Sequence, residues 1–356
     1  MGNIYTKMKI FHFKDKIDSL PKSEKTILSP IHIRIKPINS CNHNCHYCSY
    51  RIGNVQLGKD MKISDHIPKE KMGEIIDDLI EMGVKAVTFS GGGEPLIYPY
   101  FLEMIKKLAN SGIKFASLTN GSMLKGEIAE VFSKSGTWIR ISMDGWDDKS
   151  YTKSRGVGDG EFSKIIKNIQ DFVKLNGKCK LGVSIIANKY NASHLYELIK
   201  KLKNVGISSV KIAPVIISNS SADNNSYHKY LFDVVKDQIK KAKKNMESKD
   251  FEISDSYNYQ LETFKKNYNW CPYLQVLPVI GADCNIYPCQ DKAYNLDEGL
   301  IGSIKNQRFK EFWFSNKKNF FKINPKMHCN HHCISDAKNT MILEYLDADK
   351  DNLDFV

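Results

Sequence analysis

The stretch Cys41-Asn42-His43-Asn44-Cys45-His46-Tyr47-Cys48 places three cysteines within one short segment, at C-x3-C-x2-C spacing. Thiolates bind zinc and iron-sulfur clusters, but a closed zinc site or an ordinary cubane needs four protein ligands. The next cysteine along the chain is Cys179, so this group is one ligand short. Three thiolates on a four-iron cluster leave one iron open to an added chelator. The alternative is a zinc site completed by His43 or His46.

A second group of cysteines follows in the last third of the chain. Two apolar segments flank the turn 281–285 and predict a β-hairpin with a cysteine at each end, followed by a helix at 309–315. The four cysteines of this group are Cys271, Cys289, Cys329 and Cys333. Four thiolates are enough to close a cubane, and structural zinc with His328, His331 or His332 as further ligands is the alternative.

Composition limits the possible classes of protein. No apolar run approaches the ~18 residues that cross a bilayer, and the N-terminus resembles no secretion signal. We therefore expect a cytoplasmic protein with no membrane partner, in which cysteines act as metal ligands rather than in disulfides. The net charge is +12, but the lysines are dispersed, so we expect no nucleic-acid partner. The charge slightly favours an anionic small molecule as substrate.

Strand and helix patterns alternate from residue 31 to residue 215. The predicted strands are 31–36, 86–90, 115–119, 138–144, 181–187 and 210–215. Amphipathic helices are predicted between them, over 68–82, about 100–110, up to 135, about 162–173 and about 195–205. Strict alternation predicts an α/β fold with a parallel sheet and right-handed crossovers. Six units suit a partial (β/α)6 barrel of the TIM type, followed by a small domain of β-hairpin and helix.

These patterns predict that the chain divides into five parts. They are an N-terminal extension (1–30), the partial barrel (31–216), a loop and connecting helix (217–260), the second cysteine region (261–345) and a C-terminal tail (346–356). The loop is predicted over 218–226 because Ser, Asn and Asp dominate there.

Polar and glycine-rich segments follow three of the predicted strands. Gly91-Gly92-Gly93-Glu94-Pro95 follows the second strand, Thr119-Asn120-Gly121 the third and Ser142-Met143-Asp144-Gly145 the fourth. Carboxyl ends of parallel strands meet at one rim, where such barrels carry their chemistry. Glycines allow close approach to a ligand, and Glu94 can accept hydrogen bonds from an ammonium group. Turn formation explains the same residue types in the absence of a ligand.

The cysteine spacing, together with the aromatic Tyr47 before the third cysteine, resembles the characteristic loop of the radical S-adenosylmethionine (SAM) superfamily. The glycine-rich segment resembles the GGEP motif of that family. The resemblance implies that Cys41, Cys45 and Cys48 hold a 4Fe-4S cluster whose open iron binds the amino and carboxylate groups of SAM. It further implies that Glu94 contacts the methionyl amine. The residues that it assigns to SAM binding are Tyr47, Gly92, Gly93, Glu94, Pro95, Asn120, Ser142, Arg155 and Asn188.

The C-x17-C hairpin and late cysteine pair resemble the Twitch domain, a shortened SPASM domain that holds one auxiliary 4Fe-4S cluster. That resemblance implies ligation by Cys271, Cys289, Cys329 and Cys333. Two features depart from the pattern: the final pair is C-x3-C rather than C-x2-C, and Cys284 occupies a turn position that is usually glycine. Cys284 is therefore a candidate ligand, a candidate hydrogen donor or a free thiol.

The resemblance implies an oxidoreductase that uses a flavodoxin- or ferredoxin-type reductant, cleaves SAM to a 5′-deoxyadenosyl radical and abstracts hydrogen from a small substrate. Carbohydrates, cyclitols and nucleotides are the expected substrate classes. An auxiliary cluster predicts oxidation, whereas hydrogen return from Cys284 or Cys179 predicts epimerisation. Peptide or protein maturation is the alternative, although relatives of that kind commonly carry two auxiliary clusters or an N-terminal recognition domain. A non-enzymatic electron-transfer or metal-sensing protein fits the grouped cysteines but leaves the rim motifs unexplained.

Overall fold

The structure is a computed structural model that describes residues 5–20, 27–257 and 263–353. Within these ranges, ten strands form a single sheet in the order β10-β9-β8-β1-β2-β3-β4-β5-β6-β7. The strands are β1 (His32–Ile35), β2 (Ala86–Phe89), β3 (Lys114–Thr119), β4 (Trp138–Ser142), β5 (Lys180–Ala187), β6 (Ser209–Pro214), β7 (Glu252–Asp255), β8 (Val279–Ile280), β9 (Asn285–Tyr287) and β10 (Gly302–Ser303).

Thirteen α-helices accompany the sheet in the described part of the chain. They are α1 (Lys14–Ser19), α2 (Lys69–Glu81), α3 (Phe101–Ser111), α4 (Gly126–Ser135), α5 (Asp148–Arg155), α6 (Glu161–Lys174), α7 (Leu195–Asn204), α8 (Ser221–His228), α9 (Phe232–Met246), α10 (Leu296–Gly299), α11 (Phe309–Ser315), α12 (Pro325–His328) and α13 (Asp336–Asp347).

The strands from β1 to β7 run parallel, each joined to the next by a crossover that contains one or more helices. Alternating apolar side chains on the strands pack against the apolar faces of helices such as α6 and form one continuous buried core. The sheet has β7 and β10 at its edges, so the barrel is open. The predicted partial barrel is therefore confirmed. The structure adds β7, a seventh parallel strand whose short sequence has no strong apolar alternation.

The predicted hairpin is present as β8 and β9, and it belongs to the same sheet as the barrel. Its first strand pairs in parallel with β1, through Arg34 opposite Val279 and Ile35 opposite Ile280. Cys284 occupies the turn with φ of 57°, a conformation that favours glycine. Strand β1, which leads into the first cysteine loop, is thus hydrogen-bonded to β8, which belongs to the hairpin of the second cysteine region.

The loop prediction over 218–226 is wrong for most of its length, because α8 begins at Ser221. The Ser220 hydroxyl accepts a hydrogen bond from the Asp223 amide at 3.2 Å and caps the helix. Buried Asn224 donates to the carbonyls of Ser218 and Ser220. The Ser and Asn side chains, which are also common in turns, here form hydrogen bonds with backbone groups at the start of a helix. Composition alone does not distinguish such a helix start from a loop.

The N-terminal segment packs against the C-terminal helix. Ile10, Ile17 and Leu20 form a buried cluster with Ile342 of α13. The predicted division between the connecting helix and the second cysteine region, at 260/261, lies outside the described residues. No helix within the described ranges combines the length and apolar character that crossing a bilayer requires.

Candidate active site

A cavity of about 470 Å³ opens at the carboxyl ends of the parallel strands. Cavities of 300–1,000 Å³ are typical of small-molecule sites. Ten of the predicted site residues line it together: Cys41, Cys45, Tyr47, Cys48, Gly92, Gly93, Glu94, Asn120, Ser142 and Arg155. Two further residues that the resemblance assigns to SAM binding do not line it. Pro95 starts a buried turn of 3-10 helix, and the Asn188 side chain bonds to the backbone of Ile186 and Tyr190.

The glycine-rich segment passes in close contact with the chain that leads into the cysteine loop. A Cβ atom on Gly93 would lie 1.8 Å from the Ser40 carbonyl oxygen and 2.5 Å from the Asn39 carbonyl carbon. Two backbone hydrogen bonds secure the approach: the Gly93 amide donates to Ile38, and the Glu94 amide donates to Ser40 at 3.0 Å. Only glycine fits at position 93, so the absence of a side chain fixes Glu94 beside the cysteine loop.

Glu94 is a buried carboxylate with several hydrogen-bond donors. Its Oε1 accepts from the Thr119 hydroxyl at 2.5 Å and from the Leu96 amide at 3.1 Å, and its Oε2 accepts from the Asn120 amide at 2.7 Å. Burial raises the pKa of Glu94 to about 7, although these hydrogen bonds oppose the shift. A cationic group in the cavity would therefore find a carboxylate whose orientation is already fixed.

Asn120 joins the third strand to the cysteine loop. Its Nδ2 donates to Asn42 Oδ1 at 2.8 Å, and its Oδ1 accepts from the Ser122 amide at 2.9 Å. Asn42 in turn donates to the Ser122 hydroxyl. The side chain is thus largely occupied within the protein, so its contribution to the cavity is to hold the loop in place.

Asp144, which was not predicted as a site residue, connects three elements around the cavity. Its Oδ2 accepts from the Tyr47 hydroxyl and, at 2.5 Å, from Arg155 Nη2, while its Oδ1 accepts from the Ile186 amide at 2.6 Å. Arg155 also lies 3.5 Å from Cys45 Sγ. Burial disfavours both charges, but their mutual attraction keeps the pKa of Arg155 above its usual value.

Arg155 is the last residue of α5, a helix that the sequence analysis did not predict, and its side chain is buried. Gly156 follows it in the left-handed conformation and ends the helix. The short polar sequence of α5 has little apolar periodicity, which is why the helix was missed. Its start is marked by an Asp147 capping box, the local signal that could have revealed it.

Three basic side chains line the cavity from strand positions that were not singled out: Arg34 on β1, Arg140 on β4 and Lys211 on β6. Two guanidinium nitrogens of Arg34 are buried without a hydrogen-bond partner. In the part of the chain that the structure describes, none of the three forms an ion pair. Asp291 also lines the cavity and acts on Arg34 at longer range. Burial, and then the charge of Arg140, lower the pKa of Lys211 to about 8.

A second, smaller and more enclosed cavity contains the late cysteines. Cys271, Cys289, Cys329 and Cys333 all line it, together with Lys292 and Asn339. Cys284 and Cys179 are buried but line neither cavity. Among the described residues, no three His, Cys, Asp or Glu side chains are grouped around a single point that suits one metal ion. The four cysteines line one cavity, and four thiolates, one for each iron, are the ligand set that a cubane requires.

The first cavity fits the cofactors that the resemblance implied. Three cysteines on one loop supply soft ligands, and Glu94 offers an anchored carboxylate. The Ser90 hydroxyl and Arg155 Nε are buried without partners, so donors remain for a bound molecule. The donor set therefore suits a cluster with one open iron and a zwitterionic ligand.

Comparison with known proteins agrees with this geometry. Residues 35–188 match the family model described as the radical SAM superfamily. The chain therefore contains a radical SAM domain, as the resemblance of its cysteine loop implied. A probable GTP 3′,8-cyclase of Methanococcus vannielii is 29% identical over 185 residues, covering 51% of this chain and 59% of that protein.

Two solved structures share the fold. The crystal structure of Streptococcus suis SuiB bound to the precursor peptide SuiA has a TM-score of 0.60 at 17% identity, covering 91% of this chain and 76% of that one. Native anSMEcpe with bound AdoMet has a TM-score of 0.57 at 20% identity, covering 83% of this chain and 83% of that one. At these identities the likeness concerns the fold alone. The chain spans about half the length of the curated relatives it matches, with 46%, 59% and 55% of the first three covered.

Proposed function

We propose that this protein is a radical SAM enzyme that abstracts a hydrogen atom from a small anionic substrate and oxidises it. When bound, a reduced cluster with SAM supplies the 5′-deoxyadenosyl radical, and a second cluster supplies an electron acceptor. The observation that carries the proposal is the convergence of Cys41, Cys45, Cys48 and Glu94 on one cavity. A flavodoxin- or ferredoxin-type protein is the proposed reductant.

The residues around the first cavity have distinct roles in this proposal. Cys41, Cys45 and Cys48 hold the cluster, and Glu94 accepts hydrogen bonds from the ammonium group of SAM. Ser142 and the free Nε of Arg155 are the proposed donors to SAM oxygen atoms. Asn120 and Asp144 act through others, because their side chains hold the cysteine loop and Arg155 in place. Asn188 receives no role, since its side chain is bonded within its own turn.

The cations that line the first cavity support an anionic substrate. Arg34, Arg140 and Lys211 line the cavity from three different strands, and two guanidinium nitrogens of Arg34 are buried without a partner, which is unfavourable unless an anion accompanies them. A substrate that carries a phosphate or carboxylate would provide that partner. The relative named as a probable GTP 3′,8-cyclase acts, by its name, on a nucleotide. We therefore favour a nucleotide or sugar phosphate within the expected classes.

Oxidation is favoured over epimerisation by the positions of the spare cysteines. A hydrogen donor must reach the substrate, and neither Cys284 nor Cys179 lines the substrate cavity. The four cysteines of the second cavity support a separate role for that region as an electron-acceptor site. A product two hydrogens lighter would support oxidation, whereas deuterium uptake from heavy water into an otherwise unchanged substrate would support epimerisation.

The first test is SAM cleavage under strictly anaerobic conditions. After iron and sulfide reconstitution and reduction with dithionite, the wild-type protein should form 5′-deoxyadenosine, and the Cys45→Ala variant should form none. Cys179→Ala is the matched control, because Cys179 is a buried thiol that lines neither cavity. Formation of 5′-deoxyadenosine at the wild-type rate by Cys45→Ala would refute the proposal.

The second test concerns the charge of the substrate. Nucleoside triphosphates should stimulate 5′-deoxyadenosine formation, and the corresponding nucleosides should not. Replacing a charged hydrogen-bond donor typically costs about 1.5–3 kcal/mol, so Lys211→Gln should raise the KM for an active nucleotide by about tenfold or more. Lys180→Gln is the control, because this strand lysine is exposed. Equal stimulation by nucleoside and nucleotide would contradict an anion requirement.

A further inference from the structure

Asn339 lies against the second cavity from the buried side of α13. Its side chain is 1% exposed, and it lines the cavity together with the four cysteines. Its Nδ2 lies 3.3 Å from Cys271 Sγ and 3.4 Å from the Tyr268 hydroxyl. Its Oδ1 accepts a hydrogen bond from the Tyr273 amide at 2.9 Å. An uncharged amide at this depth is fully engaged with its neighbours.

The orientation of the Asn339 amide follows from its partners. A backbone N–H can only donate, so the atom facing the Tyr273 amide must be the oxygen, and the nitrogen must face Cys271. The Tyr268 hydroxyl donates to Asp336 at 2.7 Å, which leaves its oxygen to accept from Asn339. One N–H of the amide thus points to Tyr268 and the other to Cys271 Sγ.

We propose that Asn339 is a positioning residue that donates a hydrogen bond to Cys271 Sγ and raises the reduction potential of a cluster held in the second cavity. The inference rests on the second cluster of the proposed function. A thiolate has no proton to donate, so Nδ2–H to Sγ is the hydrogen bond that remains once Cys271 is a ligand. Reduction adds negative charge to a cluster and its sulfur ligands, and a donor aimed at sulfur stabilises that charge.

The amide is held in place independently of any cluster. Tyr273 fixes its oxygen, and the Tyr268 hydroxyl, bonded to Asp336 at the start of α13, fixes one hydrogen. The donor therefore needs no rearrangement when the thiolate forms.

Two variants of the holoenzyme separate the donor from the shape of the side chain. Asn339→Leu keeps a similar size and removes both polar groups without adding charge. Asn339→Asp keeps the acceptor for Tyr273, removes the N–H and adds negative charge beside the cluster when ionised. The potential of the auxiliary cluster is measured by EPR-monitored redox titration, using the signal that does not change when SAM is added. Both variants should shift this potential to more negative values while iron content stays at the wild-type level.

Asn224→Leu is the matched control. Asn224 is also buried, bonds to the backbone through its amide and lines neither cavity. It should lower stability without moving the auxiliary potential. An unchanged potential in both Asn339 variants, or an equal shift in Asn224→Leu, would overturn the inference.

If neither Asn339 variant retains the second cluster, the wild-type chain provides the measurement. Protein labelled with 15N in the asparagine side chains should give a nitrogen coupling to the reduced auxiliary cluster in pulsed EPR, and the absence of that coupling overturns the inference. Failure of the proposed function is a different result. It would appear as absence of 5′-deoxyadenosine formation, or as iron for one cluster only, in the wild-type protein.

Discussion

Replacement of Gly93 by alanine tests whether close backbone packing sets the geometry of the first site. The added Cβ would lie 1.8 Å from the Ser40 oxygen, whereas real Cβ atoms essentially never approach within 3.0 Å, so the two segments must separate by about 1.2 Å. Both contacting groups are backbone atoms, so no side-chain rotation relieves the overlap. The displacement moves Ser40, and with it Cys41, relative to Glu94. A misplacement of about 1 Å can cost 10²-fold in rate, so 5′-deoxyadenosine formation should fall by about that factor.

The assay compares Gly93→Ala with Gly73→Ala at equal iron content. Gly73 lies in α2, and a Cβ there meets nothing within 4 Å, so this control should keep the wild-type rate. It should also gain up to about 1 kcal/mol in stability from the better helix propensity of alanine. A far-UV circular dichroism spectrum and a melting temperature exclude global unfolding of Gly93→Ala. If folded Gly93→Ala turns over within threefold of wild type, the packing does not set the geometry.

Three further predictions follow from contacts in the two cavities. Asp144→Asn leaves Arg155 buried without its counter-charge and should lower the free energy of unfolding by about 3–5 kcal/mol in urea titrations. The control, Asp147→Asn, keeps a good N-cap and should lower it by less than about 0.5 kcal/mol. A similar loss in both variants would contradict the role of the buried pair. Burial raises the pKa of Glu94 to about 7, and only the carboxylate attracts an ammonium group, so SAM affinity measured by calorimetry should fall as the pH drops below about 7. The Glu94→Gln variant should bind SAM weakly at every pH. Wild-type affinity that is constant between pH 5.5 and about 8 would argue against contact of SAM with Glu94. Cys271→Ala should reduce iron from about eight to about four atoms per chain while SAM cleavage continues, and retention of about eight iron atoms would show that Cys271 is not a ligand.

The sequence was informative where the signal is local. Apolar alternation and helical periodicity located all six predicted strands and the five helices predicted between them to within a few residues, but not α5. The first group of cysteines lines the first cavity, and the second group lines the second cavity. Glu94 lies at the first cavity, after β2, where the glycine-rich segment predicted it. These features depend on neighbours in sequence, so a single chain is enough to predict them.

Features that depend on contacts between distant segments were missed. Arg34 and Lys211 were missed because side chains alternate between the two faces of a strand, and the alternation alone does not show which face lines the cavity. Asp144 was one polar residue among several at a strand end, and its importance comes from Tyr47 and Arg155, which approach it from other elements. Pairing of β8 with β1 has no local pattern, because parallel neighbours need not be adjacent in sequence.

The pairing of β1 with β8 has a consequence for the order in which the two cysteine sites form. Cys41, Cys45 and Cys48 lie within one loop, so they can come together as soon as that part of the chain has left the ribosome. The hairpin of the second site pairs with β1 through Arg34 opposite Val279, a contact that spans about 245 positions of the chain and can form only after β8 has been synthesised. Iron incorporation should therefore proceed from the N-terminal site to the C-terminal one during synthesis. A chain truncated before β8 would have the complete first cysteine loop and would leave β1, the strand that leads into it, without its neighbour β8.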